Sequence, residues 1–352
     1  MADTDWGIVV GISKYPELDS LDGSENDAQD FYDWLISPAG GKVPEKQVAL
    51  ILSSQFPPVP KATRAEPSSL RIQQAFEDLQ DVAKMNEDAG NGLQTGRRFY
   101  IYLSGHGCAP RFDDSALLAA NATRERAGYH ILGKLFANWF LRSNFFEEVA
   151  LFMDCCRENV AQVPPSIPPW VDITGVEGVD KARTFFGFGT KWARLSRERL
   201  MPDGKVHGVF TWALLQGLKG EACDPATGDI TARSLGDYLY NHMKAFLSAQ
   251  DLEDPDIPKE PDLQYDANPA SPLVFCKVPV PQYAVTIQLP PTAAGKQVQI
   301  LDNKFAVAAA ANGVPPLWQT QLRRGIYLAQ IQSLGLQTQA FEVNGGAVNV
   351  SF

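Results

Sequence analysis

The chain has 352 residues, of which 45% are hydrophobic and 20% charged, a composition typical of folded globular proteins and long enough for a large domain with a small one. The formal net charge of −10 argues against a nucleic-acid partner, because phosphate recognition needs a basic surface. The N-terminus lacks a signal-peptide pattern and no apolar run approaches about 18 residues, so we expect a cytoplasmic protein without membrane contact.

Strands and helices are predicted to alternate along most of the chain, which implies a mostly parallel sheet covered by helices on both faces. The predicted strands are 6–12, 48–54, 97–107, 148–154, 184–192 and 273–278, and the predicted helices are 26–37, 68–86, 132–143 and 209–220. An Asn-Asp pair suits the start of the first helix, and a serine suits the cap of the second.

Two proline-rich segments interrupt this order. Residues 160–182 have little periodicity and predict an exposed connection, and residues 251–272 are acidic and irregular. After about residue 279, apolar and polar residues alternate between Gly, Pro and Asn, a pattern typical of antiparallel hairpins. We therefore predict an α/β domain over residues 1–278 and a small all-β sandwich over residues 279–352.

Two of the predicted strands end in reactive side chains. The string FYIYLSGHG places His106 between two glycines, and the string VALFMDCC ends in Asp154 and two cysteines. Because the carboxyl ends of parallel strands share one edge of a sheet, we expect a thiol and an imidazole to meet there as a Cys-His dyad for acyl transfer, with the N–H of Gly107 as an oxyanion donor. The alternative is structural, since a lone strand-end cysteine is usually a small buried hydrophobe.

The same segments resemble caspase-like cysteine peptidases, in particular the prokaryotic and metacaspase-type branch. The S-G-H-G histidine of that family falls on His106, and its D-x-C motif makes Cys156 the nucleophile and Cys155 the variable middle residue. Three further segments of the family have counterparts here. The G-C-x-N-D-A segment resembles DGSENDAQDFYDWL, the helix of the small-subunit half resembles HGVFTWALLQGLKG, and the end of the domain resembles LQYDANPASPLVF. The resemblance implies a large-subunit-like half over 1–158, a linker over 159–182 and a small-subunit-like half over 183–278.

The resemblance also implies a substrate class. The pocket of metacaspase-type enzymes for a basic P1 side chain corresponds to Asp27, Ser104 and Asp154, with Ser24 where the family often has cysteine. It therefore implies cleavage after Arg or Lys, because a cation can pair with buried carboxylates. Without the resemblance, Asp27 reads as an acid at a helix N-terminus and Asp154 as a strand-end cap.

Other features bear on access and activation. The charged Arg157-Glu158-Asn159 follows the nucleophile where H-S-G is frequent, which predicts altered access. Lys181, Arg183 and the basic stretch 191–205 are candidate sites for cleavage by the protein itself or by an upstream protease. Protein substrates are the expected partners, with an activating protease or an inhibitory protein as further possibilities.

No cofactor is expected. The five cysteines lack a regular framework, which favours reduced thiols, and the histidines lack zinc-ligand spacing. Some members of the branch need calcium, but DLEDPD and DGSEND lack the spacing of a calcium-binding EF-hand loop and read as solvated acids. The side chains interpreted as structural are Cys108, Cys223, His130, His207 and His242. The alternative functions are a catalytically silent caspase-like scaffold and a related hydrolase or transpeptidase.

Overall fold

The computed structural model describes residues 2–111, 113–157, 163–171, 182–191, 196–280, 282–293, 295–303, 305–312, 316–331, 337–344 and 346–352. The chain divides into two compact units. The first unit contains Met1–Cys223 and Asp229–Lys277, and the second contains Asp224–Gly228 and Val278–Phe352. The sequence pattern gave no sign that the short segment Asp224–Gly228 belongs with the C-terminal residues.

Strands and helices alternate in the first unit as predicted. Its strands are β1 (Trp6–Gly11), β2 (Val48–Leu52), β3 (Gly96–Ser104), β4 (Gly107–Cys108), β5 (Ala116–Leu118), β6 (His130–Leu132), β7 (Phe146–Asp154), β8 (Arg183–Phe188), β9 (Glu198–Leu200), β10 (Val206–Gly208), β11 (Asp229–Thr231), β12 (Asp262–Tyr265) and β13 (Val274–Lys277). Its α-helices are α1 (Ser24–Ile36), α2 (Ser69–Asp88), α3 (Gly133–Arg142), α4 (Val209–Gln216), α5 (Ala232–His242) and α6 (Ala249–Glu253). None of the helices in the described ranges is long and apolar enough to cross a membrane.

The central sheet has six strands in the order β12-β8-β7-β3-β1-β2. The pairs from β8 to β2 are parallel, which confirms the predicted sheet, and only the edge strand β12 is antiparallel. Two predictions need correction. The segment 251–272 was predicted to be irregular but contains β12, and the strand predicted at 273–278 pairs with β11 outside the central sheet.

Helix starts are set by different residues. Ser68 caps α2, because its Oγ accepts the N–H of Arg71 at 3.3 Å. The helix α1 begins earlier than predicted, with Gly23 at the N-cap position, so the predicted cap pair lies inside its first turn. Asp27 therefore lies in the first turn of α1, and no side-chain hydrogen bond caps this helix.

Alternate residues of β3 face opposite layers of the unit. The ring of Phe99 packs against Phe76 of α2, whereas the ring of Tyr102 stacks on Phe31 of α1 and its hydroxyl lies 2.6 Å from the Thr211 hydroxyl of α4. Because side chains alternate along a strand, Ser104 at the end of β3 faces the α1 and α4 layer. The strand β7 follows the same alternation, since Phe152 also packs against Phe31.

The second unit is a small β-sandwich. Its strands are β14 (Tyr283–Gln288), β15 (Val298–Leu301), β16 (Val307–Ala311), β17 (Leu317–Leu322), β18 (Gly325–Ile331), β19 (Gln337–Val343) and β20 (Val348–Ser351). They form a sheet β17-β14-β20 and a sheet β16-β15-β18-β19, and buried residues of both sheets share one apolar core. The prediction of antiparallel hairpins holds except for β14 and β20, which pair in parallel.

The connection predicted at 160–182 lies partly outside the described residues. Its described part, 163–171, has no regular secondary structure. Trp170 in this part is nevertheless packed against aromatic rings of α2 and α3, including Phe136 at 5.4 Å and Trp139 at 4.9 Å between ring centroids. This portion of the connection is therefore anchored to the unit rather than fully exposed.

Candidate active site

The ends of β3 and β7 bring the two reactive motifs to the same edge of the sheet. Ser104 and Asp154 are paired in the parallel register, so His106 and Cys156 each lie two residues beyond a paired position. A methyl group placed on Gly107 would lie 2.5 Å from the carbonyl oxygen of Cys156, which no side chain tolerates. Glycine at 107 thus permits direct contact between the backbone that carries the imidazole and the backbone that carries the thiol.

The two adjacent cysteines occupy different environments because side chains alternate along β7 and its extension. Cys155 is 2% exposed, its Sγ lies 3.3 Å from the Ser115 hydroxyl, and burial raises the pKa of its thiol. Cys156 is partly exposed, and its Sγ accepts the backbone N–H of Ser196 at 3.2 Å. Only Cys156 therefore combines access with a hydrogen bond that stabilises a thiolate.

The imidazole of His106 is oriented by the loop that follows β1. Its Nε2 lies 2.7 Å from the backbone carbonyl oxygen of Asp19, so Nε2 carries the proton and donates to that carbonyl in the neutral ring. The remaining nitrogen, Nδ1, is then available as a base. The ring also packs edge-on against Tyr15, with 4.8 Å between centroids, and the Tyr15 hydroxyl accepts the backbone N–H of His106 at 3.0 Å.

Two predicted pocket residues, Asp27 and Asp154, lie together beneath this edge. A methyl group on Gly208 would lie 2.1 Å from Oδ2 of Asp154 and 2.9 Å from Oδ2 of Asp27, so both carboxylates touch the same backbone position. Asp27 is 1% exposed and Asp154 is 5% exposed. Ser104, also buried, ends the strand beside Asp154 on the same face.

Asp154 accepts hydrogen bonds from two segments of the chain. Its Oδ2 accepts the backbone N–H of Thr211 at 3.0 Å and the hydroxyl of Thr211 at 2.8 Å, and its Oδ1 accepts the hydroxyl of Ser196. Burial raises the pKa of Asp154, and these hydrogen bonds oppose that rise. Ser196 thus contacts both the sulfur of Cys156 and the carboxylate of Asp154.

Asp27 is held by a buried histidine that was interpreted from sequence as structural. Oδ1 of Asp27 lies 2.8 Å from Nδ1 of His207, and Oδ2 accepts the N–H of Gly208 at 2.9 Å. The other ring nitrogen of His207 lies 2.9 Å from Oδ2 of Asp203. Asp27 therefore does not cap its own helix, because both of its oxygens bind the segment around His207.

The ionisation of this pair follows from burial and from its partners. Burial raises the pKa of Asp27 to about 8, and the negative charge of Asp154 adds to the rise while the hydrogen bond to His207 opposes it. Burial alone lowers the pKa of His207, but Asp27 and Asp203 raise it on balance. The pair holds its protons more tightly than the isolated side chains do.

Glu198 is a third acid that sequence reasoning missed. Its two oxygens accept the N–H groups of Gly23 at 3.0 Å and Asp22 at 3.1 Å, and the hydroxyl of Ser24 lies 3.4 Å from Oε1. Burial raises the pKa of Glu198, and Asp154 contributes to the rise. Ser24, predicted as a pocket wall, is buried against this carboxylate. We refer to Asp27, Asp154 and Glu198 together as the acidic cluster.

Arg157, directly after Cys156, was predicted to alter access to the thiol, but its side chain is buried. Its side chain is 1% exposed, its guanidinium donates to Asp262 Oδ2 at 2.6 Å and to the carbonyl of Thr190 at 3.2 Å, and it lies over the ring of Phe188. The prediction is wrong for this residue because the side chain turns into the protein and joins the turn after Cys156 to β8 and β12. Glu158 and Asn159 lie outside the described residues.

One group of side chains has the composition of a cation site. Among the described residues, Asp30, Asp203 and His207 each offer a ligand atom, and these atoms lie within 4.8 Å of one another. The imidazole of His207 is already bonded to Asp203 and Asp27, and these hydrogen bonds account for the arrangement without an ion. The acids of the run DLEDPD also have protein partners, since Asp251 accepts from Arg197 at 2.8 Å. Independence from cofactors remains a prediction.

Comparison with known proteins shows the family to which the chain belongs. The family model of the caspase domain, peptidase family C14, matches residues 4–253, and the chain belongs to this family. A probable protease from a Desulfuromonadales bacterium is 28% identical over 229 residues, which cover 61% of this chain and 26% of that protein. The chain thus spans about a quarter of that relative's length. Caspase-1 from Spodoptera frugiperda superposes with a TM-score of 0.44 at 14% identity, covering 78% of this chain and 92% of caspase-1.

Proposed function

We propose that the chain is a cysteine endopeptidase that cleaves proteins after Arg or Lys, with Cys156 as nucleophile and His106 as acid and base. The observation that carries the proposal is the close contact between the backbones of Gly107 and Cys156, directly above a buried acidic cluster. Membership of the caspase-domain family supports peptide-bond hydrolysis as the reaction.

The reaction proceeds by acyl transfer. Nδ1 of His106 accepts the thiol proton, and the sulfur of Cys156 attacks the scissile carbonyl carbon. The N–H groups of Gly107 and Cys156 stabilise the oxyanion, and the protonated imidazole gives its proton to the leaving amine as the C–N bond breaks. Water then attacks the thioester, with His106 accepting a proton from it, and the carboxylic acid product and the free thiol are released.

The acidic cluster accounts for the choice of a basic P1 side chain. Buried carboxylates without a cation are costly, and the raised pKa of Asp27 reports that cost. An arginine or lysine side chain supplies the missing positive charge, whereas an aspartate at P1 would add a negative charge to the cluster. Asp27, Asp154 and Ser104 form the floor of this pocket, with Ser24 and Glu198 at its side.

Activation by cleavage is part of the proposal. Arg183 begins β8, pairs with Glu148 and donates to the carbonyl of Pro272 at 3.1 Å, so cutting after it requires an edge of the sheet to open. Lys181 lies outside the described residues and before this strand. We therefore favour Lys181 over Arg183 as a cleavage site, whether for the protein itself or for another protease, and the basic stretch 191–205 stays a second candidate.

Active-site labelling tests the proposed function. An arginyl chloromethylketone should alkylate the wild-type chain once, at Cys156, and abolish cleavage of an arginyl coumarin amide. Cys156→Ala should lose both labelling and turnover, while Cys223→Ala, which removes another partly exposed thiol, should retain both. Labelling of Cys156→Ala at the wild-type rate, or an equal rate for an aspartyl reagent, would contradict the proposal. A chain that folds, binds partners and never reacts would instead favour the scaffold alternative.

A further inference from the structure

A recess lies beside Tyr15, the residue that packs against the imidazole of His106. Its volume is about 400 Å³, within the range of ligand pockets in proteins, and it is formed by the loops that follow β1 and β2. Its apolar walls come from Tyr15, Pro16, Phe56, Pro57, Pro58 and Val59. We call it the apolar pocket.

The apolar pocket shares a wall with the catalytic histidine. Tyr15 lines the pocket with its ring, packs against the imidazole of His106, and donates its hydroxyl hydrogen to the carbonyl of Leu118 at 3.1 Å. Ser20, at the other end of the same loop, also lines the pocket, and the neighbouring Asp19 carbonyl holds Nε2 of His106. One loop therefore orients the imidazole and forms the pocket.

The loops that form the pocket are tied to one another. The hydroxyl of Ser53 accepts the backbone N–H groups of Ser13 at 3.2 Å and Lys14 at 3.3 Å, which joins the loop after β2 to the loop after β1. Glu25 of α1 accepts the N–H of Ser54 at 2.6 Å. Three prolines further restrict the backbone of the walls. The pocket is thus present before any ligand arrives, which lowers the entropic cost of filling it.

The reaction of the dyad determines which part of a substrate reaches this pocket. The general acid must lie next to the leaving amine, so the chain that follows the scissile bond departs on the side of His106. Along the edge of the sheet, Cys156 follows β7, His106 follows β3, and the pocket follows β1 and β2, in that spatial order. The acidic cluster, in contrast, lies on the α1 and α4 side of this edge, where Asp154 ends β7 and Asp27 lies in the first turn of α1.

We infer that the apolar pocket binds a bulky apolar side chain of the substrate, aromatic or branched aliphatic, at the second or third residue after the scissile bond. The inference rests on the proposed function and adds the substrate class on the leaving-group side. One aromatic ring, Tyr15, separates the imidazole from the pocket, and an extended peptide advances about 3.3 to 3.6 Å per residue. The first residue after the bond therefore contacts His106, and the following residues reach the pocket.

Internally quenched peptides test this inference. All carry the same sequence up to a P1 arginine and differ only after the scissile bond, with glycine, aspartate, leucine or phenylalanine at the second or third position. We expect kcat/KM to be roughly tenfold to a hundredfold higher for phenylalanine or leucine than for glycine, as full burial of such a side chain allows. Val59→Asp, which places a carboxylate in the wall, should reduce this ratio about tenfold. Val171→Asp, at a valine that is 87% exposed elsewhere in the unit, should keep it.

The arginyl coumarin amide has no residue after the scissile bond and separates the two proposals. If it is cleaved but the peptide series shows no apolar preference in the wild-type chain, the pocket inference is wrong and the proposed function stands. If no arginyl substrate is cleaved, both are wrong. The wild-type series decides the matter even if Val59→Asp fails to fold. A preference that survives in folded Val59→Asp would assign the selectivity to another surface and overturn the inference.

Discussion

The acidic cluster and the apolar pocket both lie at the edge of the sheet that carries His106 and Cys156, but they are built in opposite ways. The cluster consists of two almost fully buried carboxylates, Asp27 and Asp154, and the half-buried Glu198. All three accept protein donors, including the backbone N–H groups of Thr211, Gly208 and Gly23. The pocket is open and mostly apolar, although Lys14 and Glu66 also line it, and its walls are loops that are hydrogen-bonded to one another. The two proposals therefore assign substrate selection to different forces, charge on one side of the scissile bond and apolar burial on the other.

The difference has a consequence for how each region tolerates change. A buried carboxylate that loses its charge leaves its hydrogen-bond donors without a proper acceptor, so single substitutions there are expected to have large effects. A change in one apolar wall removes part of a contact area and should act in proportion to that area. The predictions below separate the two kinds of response.

The largest effect is expected at Asp154. Asp154→Asn removes a negative charge. It also replaces one carboxylate oxygen, which accepts a hydroxyl of Thr211 or Ser196, with an N–H₂ group that can only donate. We expect kcat/KM for substrates with arginine at P1 to fall roughly a hundredfold to a thousandfold. The preference for phenylalanine after the scissile bond should be unchanged, because the apolar pocket is not altered.

Matched controls make this result specific. Asp88→Asn, at an exposed position at the end of α2, removes the same charge and should leave kcat/KM within about twofold. Circular dichroism and the thermal midpoint should show that Asp154→Asn is folded under the assay conditions. Equal loss for arginine and alanine at P1 would mean that Asp154 supports the dyad rather than selecting the cation.

The acidic cluster should also respond to pH, and the apolar pocket should not. The pKa of Asp27 in the folded chain is about 8, above its ordinary value of 3.8, so the folded state binds a proton that the unfolded state has released. Its contribution to the free energy of unfolding is present at low pH and is lost as the pH rises through about 8. His207, whose pKa is also raised, loses its contribution as the pH rises above its ordinary 6.5, so both groups act in the same direction.

Chemical denaturation between pH 5 and pH 8.5 measures this linkage. As the pH rises, the free energy of unfolding of the wild-type chain should fall relative to that of Asp27→Asn. Benzamidine, an amidinium that imitates a basic P1 side chain, should raise the thermal midpoint of the wild type more at pH 8.5 than at pH 6, because it binds the ionised cluster. A benzamidine effect that is independent of pH, or equal in Asp27→Asn, would show that this carboxylate does not bind the cation.

Sequence patterns predicted the positions of those candidate residues that depend on local structure. His106 and Cys156 could be found because each follows an apolar strand, and parallel strands end at a common edge. The same alternation explains why Cys155 is buried and Cys156 is not. Asp27 and Asp154 came from the family resemblance, and their proximity is visible in the shared contact with Gly208.

Long-range contacts made the remaining parts unpredictable. Glu198 reaches Gly23, and His207 reaches Asp27, across about half of the chain, and neither contact has a local sequence signature. The group that orients His106 is a backbone carbonyl, which any residue at position 19 could supply. Arg157 looked like a surface charge because its partner Asp262 lies on a strand that the proline-rich pattern concealed.

The smallest effect is expected at Tyr15, the residue that both the dyad and the apolar pocket use. Tyr15→Phe keeps the ring against His106 and in the pocket wall but removes the hydroxyl that accepts the His106 N–H and donates to Leu118. The loss of these hydrogen bonds loosens the backbone beside the imidazole, and we expect kcat to fall about threefold to tenfold with little change in KM. Because the ring remains, the ratio between phenylalanine and glycine substrates should be retained. A variant in which kcat is unchanged but this ratio collapses would show that the hydroxyl serves the pocket and not the histidine, which is the reverse of the assignment made from its two hydrogen bonds.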